Sequence, residues 1–219
     1  MSTLPKQRYA RLVTSLLAAW FLLVLSVPTL SIFKDGRFPV GAAAALSPIL
    51  VFLIWFGISA SFREFTLSLD VRVLTTLQLS RVAGFTWFVA AAYGILPKVF
   101  ALPAGWGDVG IGLTAPLAAL YLAKSGRQRS FMMWQAAGIA ELAVAVTLGV
   151  LASPRLRLLG EGLTTQPLMV LPLSVIPMFG VPIAVILHII CIARAQRTEL
   201  TITTSGPAAG LSRRSFDPI

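Results

Sequence analysis

Cysteine and histidine each occur once in this chain of 219 residues, as Cys191 and His188, and charged residues make up only 12% of it. A single cysteine excludes an intrachain disulfide and any CxxC metal or redox motif. A single histidine excludes bis-histidine haem within one chain. The charge content falls well below the roughly 25% of ordinary soluble domains. The sequence also has no nucleophile elbow, HExxH, P-loop or paired-aspartate motif of isoprenoid or phospholipid transferases. An enzyme acting on lipid or quinone, with Glu141 or His188 as general base, is therefore the least expected function.

Apolar residues are abundant: 57% of the chain is hydrophobic and its mean hydropathy is +0.84. They gather into blocks of about twenty, the length a helix needs to cross a hydrocarbon core. Six spans are predicted, at 11–33, 40–61, 73–96, 108–123, 131–152 and 168–192, followed by a flexible cytoplasmic tail at 195–219. The block at 108–123 is short and carries Pro116, so a five-span arrangement with that block re-entrant is the alternative. The N-terminus has Lys6, Arg8 and Arg11 ahead of its apolar run, as a signal peptide does, but the run is long and lacks a small-x-small cleavage site. It reads as a retained first span.

The net charge of +10 arises in short segments beside the apolar blocks, where lysine and arginine set orientation rather than bind nucleic acid. With the N-terminus cytoplasmic, Lys34, Arg37, Lys98, Arg155 and Arg157 lie outside and Arg81 lies within a span. The other twelve of the eighteen basic residues lie inside. That asymmetry requires an even number of crossings. The expected fold is thus an all-α polytopic bundle with both termini cytoplasmic, in the inner (plasma) membrane.

Inside a bilayer the ionisable residues are the informative ones, since a charge at a helix centre costs about 3 kcal/mol on insertion scales. The candidates for a polar interior or ligand site are Arg81, Asp108, Glu141 and His188. Arg81 lies nine residues beyond Arg72, about 14 Å along a helix, and Glu141 twelve beyond Arg129, about 18 Å. Opposite charges at matching depth predict a buried pair, either a bridge that positions helices or the lining of a solute or proton path. His188 sits six residues before Arg194, about 9 Å in. Asp108 is expected to cap a fourth span at the outer face. A metal held by Asp108, Glu141 and His188 is disfavoured by their unequal depths, and no cofactor is expected.

"PAGWGDVG" matches G-x-G-x-x-G through Gly105, Gly107 and Gly110, but without the strand and helix that make the motif a nucleotide site. It reads as a tight outer turn with Pro97 and Pro103, and Phe100 and Trp106 at the interface. In the last block Pro167, Pro172, Pro177 and Pro182 recur every fifth position. Pro167 is expected to begin the helix, while Pro172, Pro177 and Pro182 kink it and free the carbonyls of Leu168, Leu173 and Met178. Those carbonyls need Ser174, water or another helix as partners.

The runs "RVAGFTWFVAAAYGILPKVFALPAGWGDVGIGLTAPLAA" and "LTTQPLMVLPLSVIPMFGVPIAVILHII" resemble a group of uncharacterised multi-span membrane proteins of bacteria, over roughly residues 75–192. The pieces that carry the likeness are Arg81 with Gly84, "FALPAGWGD" ending at Asp108, Glu141, and the proline-rich last span ending at His188. The resemblance implies a bacterial inner-membrane setting and brings no activity. The expected function is binding or moving a small solute or proton through the polar interior. The alternative is an accessory protein whose spans bind partner membrane helices; lipids are the other expected partners.

Overall fold

The computed structural model of the protein describes residues 3–26, 38–124, 126–160 and 162–204, and every regular element among them is helical. Helix α1 is Thr3–Ser26 and α2 is Phe38–Ile58. At Ser59 the chain bends by 109° into α3, Ala60–Leu67. The Ser59 hydroxyl accepts the Phe62 N–H at 3.2 Å, which satisfies one of the free donors of the new helix. Asp70 caps α4, Val71–Leu77, in the same way by accepting the Arg72 N–H at 2.8 Å.

From α4 the chain tightens into a 3₁₀ segment, Gln78–Gly84, and continues as α5, Phe85–Ala92. Helix α6 runs from Lys98 to Leu117 and loosens into a π turn at Ala118–Leu122. Helix α7 is Gln128–Leu151. After a 3₁₀ turn at Gln166–Met169 and a π turn at Ile176–Gly180, α8 occupies Val181–Thr204.

Among the described residues three helical segments are long and apolar enough to cross a membrane: Lys6–Ser26, Gln128–Leu151 and Ile176–Arg197. The bent pair Ala45–Ile58 and Ala60–Leu67 makes a fourth if counted as one span. This corrects the expected six. The block at 73–96 is divided among α4, the 3₁₀ segment and α5, of 7, 7 and 8 residues. The block at 108–123 is the second half of α6, which begins ten residues earlier and holds Lys98, Asp108, two prolines and a glycine-rich stretch. The fifth predicted span agrees with α7 to within a few residues. The end of the first predicted span and the tail beyond Thr204 lie outside the described residues, and 195–204, expected as tail, continues α8.

Two further expectations give way. "FALPAGWGD" is no turn: it is the interior of α6, with Phe100 buried edge-on against Trp87 at 5.6 Å and Trp106 exposed. Ala101, Ala104, Gly105, Asp108, Gly112 and Ala115 form its buried face. Small side chains at that spacing let neighbouring backbones approach closely, and this packing overrides the local turn preference of glycine. Nor do three prolines kink one long helix. The last helical run starts at Ile176, so Pro172 precedes it and Pro177 falls in its first turn, while Pro182 lies further in, at the seventh residue. The Leu173 carbonyl accepts the Ile176 N–H at 3.2 Å, not the Ser174 hydroxyl.

Two apolar clusters sit toward opposite ends of the packed helices. One contains Trp87, Leu96, Phe100, Ala104 and Leu168; the other contains Phe52, Phe62, Leu74, Phe131 and Ile190. Tyr9 and Trp55 extend the second cluster by ring contacts with Phe62, Trp55 stacked on it at 3.8 Å. Gln78, Arg81, Asp108, Gln135 and His188 lie between, all buried.

A β-carbon added at Gly112 would lie 2.7 Å from the Val82 backbone nitrogen, whereas one at Gly110 would meet nothing within 4 Å. Gly110→Ala should therefore raise stability by about 0.5–1 kcal/mol through helix propensity. Gly112→Ala should lower it by about 1–3 kcal/mol through overpacking. Thermal unfolding in detergent reads both; equal or reversed effects would contradict the close approach of α6 to the 3₁₀ segment.

Candidate functional site

Arg81 reaches the centre of the packed helices from the 3₁₀ segment and is 7% exposed. Its Nε donates to Asp108 Oδ1 at 2.8 Å, and its Nη2 pairs with Glu141 Oε2. Nη1 donates to the Gly138 carbonyl at 3.4 Å. The second oxygen of Asp108 accepts the Trp87 indole N–H at 3.0 Å. One guanidinium thus binds α6 and α7 to the segment that carries it, and the indole of α5 closes the far side.

Asp108 is consequently not a cap. It lies in the middle of α6, on the face directed at Arg81, and its side chain is 12% exposed. The expected pairing of Arg81 with Glu141 is present in the geometry and acquires a second acid that depth arguments had put at the surface. Their meeting needs a glycine: a β-carbon at Gly107 would overlap the Glu141 side chain.

His188, fully buried on α8, stands beside this group without joining it. Its ring lies against Gly138, where an added β-carbon would overlap the imidazole, and Gly138 is the residue whose carbonyl Arg81 reaches. Nδ1 pairs with Gln135 Oε1, and Gln135 Nε2 donates to the Thr75 hydroxyl at 3.0 Å. Thr75 in turn donates to the Val71 carbonyl at 2.7 Å and lies 3.8 Å from the Cys191 sulfur. Nearby, Gln78 donates to the Ala184 carbonyl at 3.0 Å, and Trp134 tilts against the histidine ring at 5.8 Å. The imidazole Nε2 is buried with no hydrogen-bond partner among the described residues.

Gln78, Gln135, Thr75 and Trp87 had not been singled out from the sequence. The two glutamines were nonetheless visible there as uncharged amides inside apolar blocks, three residues before Arg81 and six before Glu141. In lipid such amides call for partners as charges do. Pro172 and Pro177 belong to a different part of the molecule, beside the end of the packed helices marked by Leu168 and Met169, and Pro182 is buried early in α8. Among the described residues no three His, Cys, Asp or Glu side chains are grouped to hold a metal.

A buried ion pair is weak evidence for stability, but breaking one is costly, because the remaining charge is stranded. Arg81→Met leaves two carboxylates facing each other and should lower stability by about 3–5 kcal/mol. Trp87→Phe removes one hydrogen bond to a charged group, about 1.5–3 kcal/mol. Denaturant unfolding in detergent would test both, and a neutral Arg81→Met would show that the guanidinium is not held between the acids.

Residues 37–195 match the family described as Domain of unknown function (DUF8737), and the chain belongs to it. No curated protein and no solved structure matches the chain.

Proposed function

We propose that this member of the family is an integral membrane protein that binds a proton, and moves it, at the cluster of Arg81, Asp108 and Glu141. The observation that carries the reading is the charge balance. Two carboxylates share one guanidinium in a nearly water-free position. With all three groups ionised the cluster has one negative charge in excess, and a low-dielectric interior makes that excess expensive. One proton taken up by the cluster removes it, as buried groups of like charge elsewhere hold a proton. Ionisable groups inside a membrane more generally mark ion and proton relays.

The groups facing the cluster support the same reading. Trp87 from α5 and Gly138 from α7 are neutral, and His188 from α8 is the nearest further titratable side chain. From His188 the hydrogen-bonded row of Gln135 and Thr75 leads toward the end of the helices that carries Asp70 and Arg72. This row orients the imidazole beside the cluster.

A second reading is favoured by α1, in which Val24 is the only buried side chain between Lys6 and Ser26. A long apolar helix so little covered has a surface to offer partner membrane helices, as an accessory protein would. Under that reading Glu141→Gln changes abundance or complex formation and leaves proton movement alone.

Purified protein in liposomes with a trapped pH-sensitive dye separates the two. The proton reading expects wild type to dissipate an imposed pH gradient faster than empty liposomes, and expects Glu141→Gln and Asp108→Asn to lose at least tenfold of that rate. Infrared difference spectra between low and high pH should show a protonated carboxyl in wild type that Glu141→Gln alters. Gradients that decay as in empty liposomes, together with no such carboxyl band, would overturn it.

A further inference from the structure

A cavity of about 620 Å³ lies beyond Asp108, on the side away from His188. Its size falls within the range of sites that enclose a small organic ligand. The walls are apolar, with Ile49 from α2, Phe100 from α6, Leu142 and Val146 from α7, and Val185 from α8. Along α7 the lining extends from Ile139 to Val150, about 17 Å at the helical rise. Asp108 closes the deep end, with both oxygens already engaged by Arg81 and Trp87. A polar solute gains little from such walls; an extended hydrocarbon gains burial along the whole length.

The other end is different. Ser153, Thr165 and Gln166 line it just past the last turn of α7. Ser153 is 4% exposed, and its hydroxyl has no hydrogen-bond partner among the described residues. A buried hydroxyl left without a partner is unfavourable, so the position calls for an acceptor from a ligand. The Thr165 hydroxyl donates to the Gly149 carbonyl at 2.7 Å and keeps lone pairs free to accept. Immediately after Ser153 come Arg155 and Arg157, both exposed. Arg157 adopts φ 46° and its Nε donates at 3.2 Å to the carbonyl of Pro154, itself a lining residue. That contact holds its guanidinium against a residue of the lining.

An apolar trough with a hydroxyl lacking a partner at its mouth and two arginines beyond it has the order of groups of an acyl chain, an ester and a phosphate. We propose that the cavity binds one anionic phospholipid. One acyl chain fills the space between α2, α6, α7 and α8, an ester oxygen accepts from Ser153, and the phosphate meets Arg155 and Arg157. The site adjoins the proton cluster at Asp108 and takes none of its contacts from Arg81 or Glu141. The apolar walls around the deep end give a phosphate no donor there, so the head stays at the mouth.

The test is native mass spectrometry of the full chain, released from mixed micelles containing equal phosphatidylglycerol and phosphatidylcholine. Wild type should retain phosphatidylglycerol over phosphatidylcholine by about tenfold, the effect of two basic side chains near a headgroup. Arg155→Gln with Arg157→Gln should abolish the preference while some lipid remains bound. Ala143→Phe, an exposed lining position where the larger side chain enters the trough, should reduce retention of both lipids. Ser153→Ala should weaken retention without changing the headgroup preference. Glu141→Gln, which disables the proposed proton site, should leave lipid retention at the wild-type level. No headgroup preference in wild type, retention unaffected by Ala143→Phe, or displacement of phospholipid by an added prenylquinone would each overturn the proposal. Gel filtration of every variant confirms that a loss is not misfolding.

Discussion

One guanidinium held between two carboxylates organises the centre of this protein. Arg81 is delivered by a 3₁₀ segment, Asp108 by α6 and Glu141 by α7, so three separate stretches of chain must meet within hydrogen-bonding distance. In a packed apolar interior none of the three can be placed alone without a large cost. Their mutual attraction therefore fixes the register of the helices against each other. The fork of the guanidinium adds direction, with Nε facing one acid and Nη2 the other.

The close approach this requires explains the residues around it. Glycine at 107 makes room for Glu141, glycine at 112 lets α6 touch the 3₁₀ backbone, and glycine at 138 lets the ring of His188 lie against α7. Larger side chains at these points would push apart the helices that the charges draw together. The apolar clusters at either end then seal the polar groups between them. On one side of Arg81 the interior is filled by the amides and hydroxyls of Gln78, Gln135 and Thr75; on the other it opens into an apolar cavity. The asymmetry underlies both proposals: a proton held at the boundary, and a lipid chain beyond it.

Part of this was legible from the residues alone. Arg81 and Glu141 could be matched because counting 1.5 Å per residue from a basic anchor works in an α-helix, and the steeper rise of about 2.0 Å in the short 3₁₀ stretch before Arg81 adds only about 2 Å. Asp108 was misplaced because Pro103 and the glycines around it are strong local signals for a turn, while the preference for helix there comes from packing against other segments. A telling pattern was present: Ala101, Ala104, Asp108, Gly112 and Ala115 recur every three or four residues, the face of a helix meant to be closely approached. The prolines misled in the opposite sense. An apolar run long enough to span reads as one helix, yet a proline tolerates the first turn of a helix far better than its interior, and α8 and its preceding π turn start accordingly late. The apolar cavity left no mark in the sequence, since it exists only where faces of four helices fail to fill the space between them.

The most direct test of the central arrangement is a double-mutant cycle between Arg81→Met and Glu141→Gln, read by denaturant unfolding of the full chain in detergent. If the guanidinium is held between the two acids, the second substitution should relieve much of the damage done by the first, with a coupling energy of about 2–3 kcal/mol. Losses that simply add, within about 0.5 kcal/mol, would mean that the two side chains do not meet, and the account of the interior built on their contact would fail.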